Sequence, residues 1–245
     1  MISIFKKKHF LHDCIPSNFV DIHSHILPGI DDGAKTIEDT TFLIENMISF
    51  GFCKIITTPH TIQNIWHNTP QTISKSLQFT QEKISHLTKK IDLKAASEYM
   101  IDDYFSTLVE NKNLLTLKNK YVLVEMSYIN PPMQLFDFLF QLQIAGYIPI
   151  LAHPERYLFY HADFTAYEKL KKQGCLFQMN LLSANGYYGK EVAKIVDKLL
   201  QKKMIDFVGS DFHHKNHIAS FSKPILIKEI SELKKAAANN CFFYD

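Results

Sequence analysis

Arginine is nearly missing from this chain. Of its 27 basic side chains only Arg156 carries a guanidinium, and lysine supplies the rest. A position that keeps arginine against that background points to a need for a planar, two-pronged fork rather than a point charge. Cysteine is also scarce: Cys14, Cys53, Cys175 and Cys241 stand far apart with no C-x-x-C between them. That excludes a zinc knuckle and a dithiol redox pair. No apolar run reaches the roughly 20 residues of a membrane-spanning helix. The first residues lack the apolar core of a signal peptide. The expectation is a reduced, cytoplasmic chain with no transmembrane segment. No stripe of basic and interleaved aromatic residues is present, and the net charge is only +2, so a nucleic-acid partner is not expected. The run Lys6-Lys7-Lys8 reads as solvated charge.

Linkers are missing too. Over 245 residues there is no Gly/Ser-rich stretch, composition break or fixed-period repeat, and 46% hydrophobic against 21% charged residues is the balance of a soluble globular protein. Such a chain can bury a core without staples. A single domain across 1–245 follows, its core about 20–238.

Short, continuously apolar, β-branched runs alternate with helix-period segments. The runs are Val20–His25, Lys54–Thr58, Leu93–Ser97, Tyr121–Met126, Ile148–Ala152, Leu176–Asn180 and Asp206–Gly209. They read as strands buried on both faces of a parallel sheet. Thr36–Phe50 reads as a helix with Ile37, Thr41, Ile44 and Ile48 on its buried face, a Thr36/Asp39 capping box and Gly51 as its stop. Thr69–Lys90 opens on Thr69 as cap with Pro70 in first position, and buries Ile73, Leu77, Ile84 and Leu87. Further helices are expected at 132–145, 163–173, 189–203 and 223–238. About seven β-α repeats make an α/β fold.

The strand ends share a chemistry. The first closes on His23 and His25, the second on Thr58-Pro59-His60, the third on Glu98, the fourth on Glu125. The fifth runs into His153-Pro154-Glu155-Arg156 and the seventh into Ser210-Asp211-Phe212-His213; the sixth ends on Asn180. In a parallel barrel such ends converge at one mouth. His23 and His25 are two apart, so both point to one side. Each residue alone is more often a structural or solvated group, the reading given to His9, His12, His67, His86, His161 and His214. Several carboxylates crowded together repel unless cations join them. Imidazole plus carboxylate without thiolate suits zinc, manganese or iron, and nine or ten such groups exceed the needs of one ion.

His23-x-His25, Asp32, Thr58-Pro59-His60, Glu98, Glu125, the HPER at 153–156 and the SDFH at 210–213 resemble the PHP (polymerase and histidinol phosphatase) superfamily. Within it, the stretch Asp21–Ala34, the TPH and the HPER are similar to the metal-dependent protein-tyrosine phosphatases of bacterial capsule and exopolysaccharide loci. The resemblance implies a distorted (β/α)7 barrel with two or three divalent ions at the C-terminal ends of its strands, manganese first, iron or zinc as alternatives. By motif match, His23, His25, Glu98 and Asp211 would hold one ion. Glu98 would bridge to a second, completed by Glu125 and His153, and Asp32, His60 and His213 would hold the third. Asp31 and Glu155 would support these groups or the fold.

Arg156 would then bind phosphoryl oxygens and act in catalysis with Asp32, His60 and His213. No cysteine has an arginine six residues on, which excludes the thiolate route of the common tyrosine phosphatases and leaves direct hydrolysis. The implied partner is a phosphotyrosine-bearing protein, a bacterial tyrosine kinase tail. Relatives often place a basic residue in the loop after SDFH; here Lys215 is the candidate substrate contact. Tyr128, Tyr157 and Phe212 could line a slot for a phenyl ring. The alternatives are a small-molecule phosphatase of histidinol-phosphate type and an inactive metal-binding module. An amidohydrolase shares H-x-H and a late Asp, but Glu98 and Glu125 stand where that family more typically offers lysine and histidine.

Overall fold

A computed structural model describes residues 8–245. Lys6 and Lys7 lie outside the described residues, and Lys8 is exposed. Among the described residues nine strands follow in chain order: β1 Phe19–Asp21, β2 Phe52–Thr57, β3 His60–Thr61, β4 Asp92–Ala95, β5 Glu98–Met100, β6 Tyr121–Glu125, β7 Ile148–Ala152, β8 Leu176–Asn180 and β9 Phe207–Gly209. All ladder pairs between them are parallel. They form two runs, β1-β2-β4 and β3-β5-β6-β7-β8-β9. The runs join because β2 and β3 are one stave broken at Thr58-Pro59, and β4 and β5 one stave broken at Ala96-Ser97. Pro59 cannot donate to a ladder, but its carbonyl accepts from Glu98 N (3.2 Å) and from Ser97 Oγ (2.8 Å). The far edges close on each other. Asp211 N donates to His23 O (2.7 Å) and His25 N to Phe212 O (2.9 Å). The result is a distorted seven-stave parallel barrel.

The helices are α1 Ile37–Ser49, α2 Pro70–Lys83, α3 Ser85–Thr88, α4 Asp103–Glu110, α5 Leu135–Ile144, α6 Thr165–Lys172, α7 Lys190–Gln201, α8 Lys215–Phe221 and α9 Ile230–Asn239. The Thr36/Asp39 capping box forms as read, with Asp39 N on Thr36 Oγ1 and Thr36 N on Asp39 Oδ2, both 3.3 Å. The buried face of α1 is Thr40, Leu43, Ile44 and Met47, so the expected stripe is rotated by about one position; Ile37, Thr41 and Ile48 sit at its edge. The expected helix Thr69–Lys90 breaks at Ile84, whose ψ of 32° leaves the helical region. The helix expected at 223–238 starts only at Ile230. Two helices were not expected, α4 and α8. Both are short, eight and seven residues, too few for a periodic stripe to show. The strand expected at Leu93–Ser97 ends at Ala95, and Glu98 opens a new strand rather than closing the old one.

Alternation along the staves divides the core. Val122, Val124, Leu151, Phe177, Met179 and Val208 face outward into the layer under the helices. Val20, Ile56, Leu123, Ile150 and Phe207 face the barrel interior. Phe243, fully buried, plugs the N-terminal end of the barrel, packed edge-on to Phe207 at 4.9 Å and Tyr121 at 6.0 Å. Lys54 Nζ holds the tail there through Tyr244 O at 2.7 Å.

Candidate metal centre and active site

The same alternation delivers polar groups to the opposite end. Leu123 and Glu125 share one side of β6, Gln178 and Asn180 one side of β8, Ala96 and Glu98 one side of the third stave. Each polar group stands two residues past an inward position. The last inward layer of the barrel is therefore a layer of carboxylates, imidazoles and amides. His153 and Asp211 reach it differently: both have positive φ, 35° and 52°. For residues with a Cβ this conformation costs roughly 1–2 kcal/mol, and such strain is held at sites where a side chain must be aimed.

Glu98 sits at the centre, fully buried. Its Oε2 lies 3.1 Å from His23 Nε2, 3.3 Å from His25 Nε2 and 3.2 Å from His60 Nδ1; its Oε1 lies 3.1 Å from His153 Nε2. Asp211 Oδ1 approaches His23, His25 and His213 at 3.3, 3.5 and 3.4 Å. Asp32 Oδ1 approaches His60 and His213 at 3.4 and 3.5 Å. Glu125 Oε1 lies 2.7 Å from His60 Nδ1. All nine expected metal ligands thus meet at one mouth. Their ligand atoms form overlapping groups: His23, His25 and Asp211; His23, Glu98 and His153; His60, Glu98 and Glu125; and His25, Asp32, His60 and His213. The first lacks the Glu98 of the expected quartet, and the last adds His25 to the expected trio. The expected bridging site divides, with Glu98 common to both halves.

The donor set fits metal ions better than it fits itself. His60 Nδ1 and Glu125 Oε1 are in contact yet misaligned for a hydrogen bond, and both remain unsatisfied, as does Glu98 Oε1. Buried polar atoms without partners are uncommon and call for an ion or another ligand. The far sides of His23 and His25 are occupied, whereas His153 Nδ1 has no partner. His23 Nδ1 donates to Gln178 Oε1 (2.6 Å) and His25 Nδ1 to Asp31 Oδ2 (2.8 Å). In the neutral imidazole, each bond leaves Nε2 bare toward the centre, the arrangement that orients metal-binding histidines. Four buried carboxylates, Asp31, Glu98, Glu125 and Asp211, have one guanidinium beside them, so protonated imidazoles balance the charge. Burial opposes the charge on His60, but Glu125 and Glu98 raise its pKa to about 9. Burial likewise opposes the Glu98 charge, yet His23 and His60 hold its carboxyl well below the usual range. Burial, then Arg156, pushes His153 down to about 4, so it stands neutral.

Two glycines make room for this packing. A Cβ on Gly209 would fall 2.6 Å from His23 Cβ, and one on Gly33 2.0 Å from His25 O.

A cavity of about 250 Å³ opens onto the cluster, walled by Asp32, His60, His153, Arg156, Asp211 and His213 among others. Arg156 NH1 bonds to Asp211 Oδ2 at 2.8 Å. Its guanidinium carbon lies 4.1 Å from the Tyr188 ring centre and 4.8 Å from that of Tyr128. Arg156 therefore lies between these two rings. Tyr157 and Phe212 are fully buried, so of the three aromatics named from sequence only Tyr128 reaches the cavity. Lys215 does not line it. It lines the adjoining cleft beyond Asp32 and His213, with its ammonium 5.3 Å from the Phe42 ring centre.

Sequence reasoning missed Gln178 and Tyr188 and left Asn180 without a role. Asn180 Nδ2 donates to Asp211 Oδ2 at 2.6 Å and lies 3.0 Å from Tyr188 Oη. A glutamine and an asparagine inside the apolar run Leu176–Asn180 were the available signal; Tyr188 carried none. Asp31 and Glu155 act as supports. Glu155 is buried 2.6 Å from Ser183 Oγ and 2.9 Å from Asn180 N.

The family model for capsular polysaccharide synthesis proteins of the CpsB/CapC type matches residues 19–241. Tyrosine-protein phosphatase YwqE of Bacillus subtilis is 28% identical over 80% of this chain and 77% of its own. Putative tyrosine-protein phosphatase CapC of Staphylococcus aureus is 27% identical over 89% of this chain and 84% of its own. A crystal structure from work on YwqE and on CpsB of Streptococcus pneumoniae, described as metal-dependent tyrosine phosphatases, superposes with a TM-score of 0.76 at 26% identity, covering 87% of this chain and 84% of that one. With the barrel, its mouth and this match across nearly the whole described chain, the protein belongs to the CpsB/CapC family, within the PHP phosphatases.

Proposed function

We propose that this protein is a metal-dependent phosphomonoester hydrolase that removes phosphate from phosphotyrosine in protein, acting as one PHP-type domain across 1–245. The observation that carries this is Glu98, a fully buried carboxylate within 3.3 Å of nitrogens from four histidines. His23, His25, Glu98 and Asp211 would hold one divalent ion; Glu98, Glu125 and His153 a second; Asp32, His60 and His213 a third. The oxygen and imidazole donors suit manganese, with iron or zinc as alternatives. When bound, such ions supply an activated water nucleophile and neutralise charge on the phosphoryl oxygens.

The chain's own part is to place and hold the substrate. Arg156 presents a fork to phosphoryl oxygens at the cavity wall, while its bond to Asp211 and the flanking rings fix its plane. A phenol has a pKa of about 10, well below an aliphatic alcohol, so phosphotyrosine asks little of a proton donor. Asp32, His60 and His213 line the cavity where that proton is needed. Lys215 lines the adjoining cleft, where it would meet the protein segment flanking the phosphotyrosine rather than the phosphate. The partner we infer is the phosphorylated tail of a bacterial tyrosine kinase controlling capsule or exopolysaccharide synthesis, in the cytoplasm. Among the described residues no helix is long and apolar enough to cross a membrane.

The test supplies manganese and compares hydrolysis of a phosphotyrosyl peptide with that of histidinol phosphate, for wild type and Arg156→Ala. The reading expects preference for the peptide and a loss of turnover in the variant with metal retained. Preference for histidinol phosphate would move the substrate to the small-molecule class.

A further inference from the structure

Helix α5 is apolar on two faces, with Asp137, Gln141 and Gln143 between them. Its inner face, Leu135, Phe138, Leu139 and Leu142, is buried in the layer over the barrel. Its outer face is apolar as well. Met133, in the turn before it, is 102% exposed, Phe136 44%, Phe140 59% and Ile144 71%. Separations of three, four and four residues keep these on one side of the helix. From Ser127 to Gly146 the one charged residue is Asp137, whereas a helix face bathed in water is ordinarily charged or polar.

The stripe reads nearly the same in both directions. Met133 and Ile144 form its ends, Phe136 and Phe140 its middle, about a centre at Phe138. Laid antiparallel on itself, α5 sets Phe136 against the second copy's Phe140 and Met133 against the second copy's Ile144. Gln141 then lies beside the second copy's Asp137 and can donate to it. This self-complementarity is what a two-fold contact requires. Side chains of this size carry roughly 150–250 Å² each, so the exposed fractions leave on the order of 500 Å² in water. That is near the upper end for the largest patch of a monomer, roughly 300–600 Å². It is also well over half of the ~800 Å² each partner gives to a stable interface, with Asp137 and Gln141 at the rim supplying more.

We propose that the outer face of α5 is a homodimer interface, packed antiparallel on the same helix of a second copy. The inference stands apart from the catalytic reading, because none of these residues touches the metal cluster.

Sedimentation equilibrium of the full chain across the micromolar range tests it. The expected result is a species of twice the 28.4 kDa chain mass. Phe140→Lys and Ile144→Lys should each weaken the dimer by at least about tenfold, with unchanged melting temperature and metal content at low concentration. Asp137→Lys should weaken it, and Gln141→Glu added to Asp137→Lys should restore it. Wild type sedimenting at the single-chain mass throughout overturns the proposal, as does a dimer indifferent to the folded lysine variants. A monomer whose Phe140→Lys form alone loses binding to phosphatidylglycerol vesicles or to a phosphotyrosyl protein also overturns it, by giving the face to that other occupant.

Discussion

Gly209→Ala adds one methyl at the base of the metal cluster, and the structure says where it must go. The new Cβ would lie 2.6 Å from His23 Cβ and 2.7 Å from Gln178 Nε2, about 0.8 Å short of the 3.4 Å at which ordinary contact begins. Neither neighbour can give freely. His23 is held through Nδ1 by Gln178 Oε1, and Gln178 Nε2 is held by Met179 O at 2.7 Å. Both side chains are fully buried. Overpacking of this kind costs about 1–3 kcal/mol of stability. The larger effect falls on the site, because a ligand set works only within about 0.5 Å of its geometry. Losing the bond that orients a ligating histidine lowers metal affinity by roughly 10–100-fold. Gln178→Leu removes that bond without the clash and should cost a similar factor in affinity; the double variant should add little, since both act through His23. Manganese titration of chelator-treated protein, beside thermal melts of the metal-free forms, separates the two effects. If Gly209→Ala folds and binds manganese as tightly as wild type, the close approach of Gly209 to His23 has no functional weight and the reasoning is wrong.

Tyr188→Ala removes one of the two rings around Arg156. A cation–π contact of about 0.5–2 kcal/mol predicts a loss of roughly 2- to 30-fold in kcat/KM on a phosphotyrosyl peptide; Tyr188→Phe should keep most of the activity, and Tyr188→Ala should change nothing further in an Arg156→Ala background. Burial raises Glu155 to about 7, above its ordinary value near 4.3, so the folded state holds this proton more tightly than the unfolded. Stability of the metal-free protein should therefore fall as pH rises from about 4.5 to about 7, by roughly 3 kcal/mol at most from this group. Urea melts of Glu155→Gln should show that part of the slope gone, and an unchanged slope counts against it. Since carboxylates raise His60 to about 9 and His25 well above its usual range, metal loading at pH 7 must displace protons. Calorimetry in buffers of different ionisation enthalpy should report that release, with affinity rising as pH approaches about 9; no buffer dependence contradicts it.

Much of this was legible before any coordinates. Strands β7 and β8 fall on the expected residues, because a continuous apolar run between turn signals leaves little choice. The mouth residues were legible because parallel staves place their ends together, however far apart in sequence. What the sequence hid is where the chain departs from regularity. The Thr58-Pro59 and Ala96-Ser97 breaks turn two strands into four, and the resumed strands β3 and β5 are only two and three residues long, too short to leave a pattern. The stripe of α1 was misplaced by one position because its edge residues, Ile37 and Ile48, are as apolar as its centre. The pairing of Arg156 with Tyr188 depends on a contact between loops 32 residues apart, which no local pattern reports. Phe212 looked available at the mouth because it stands between two ligands, but alternation turns it into the core.

The central claim is that one nest of buried carboxylates and imidazoles around Glu98 exists to hold several cations that drive hydrolysis. Elemental analysis of manganese-loaded wild type and Glu98→Gln, paired with phosphotyrosine turnover on the same samples, tests it most directly. The account predicts two or three ions per wild-type chain, at least one fewer in the variant, and turnover that vanishes with chelation and returns with manganese. A wild-type chain that hydrolyses phosphotyrosine equally well when stripped of metal, or a variant that keeps the full complement of ions, would contradict it.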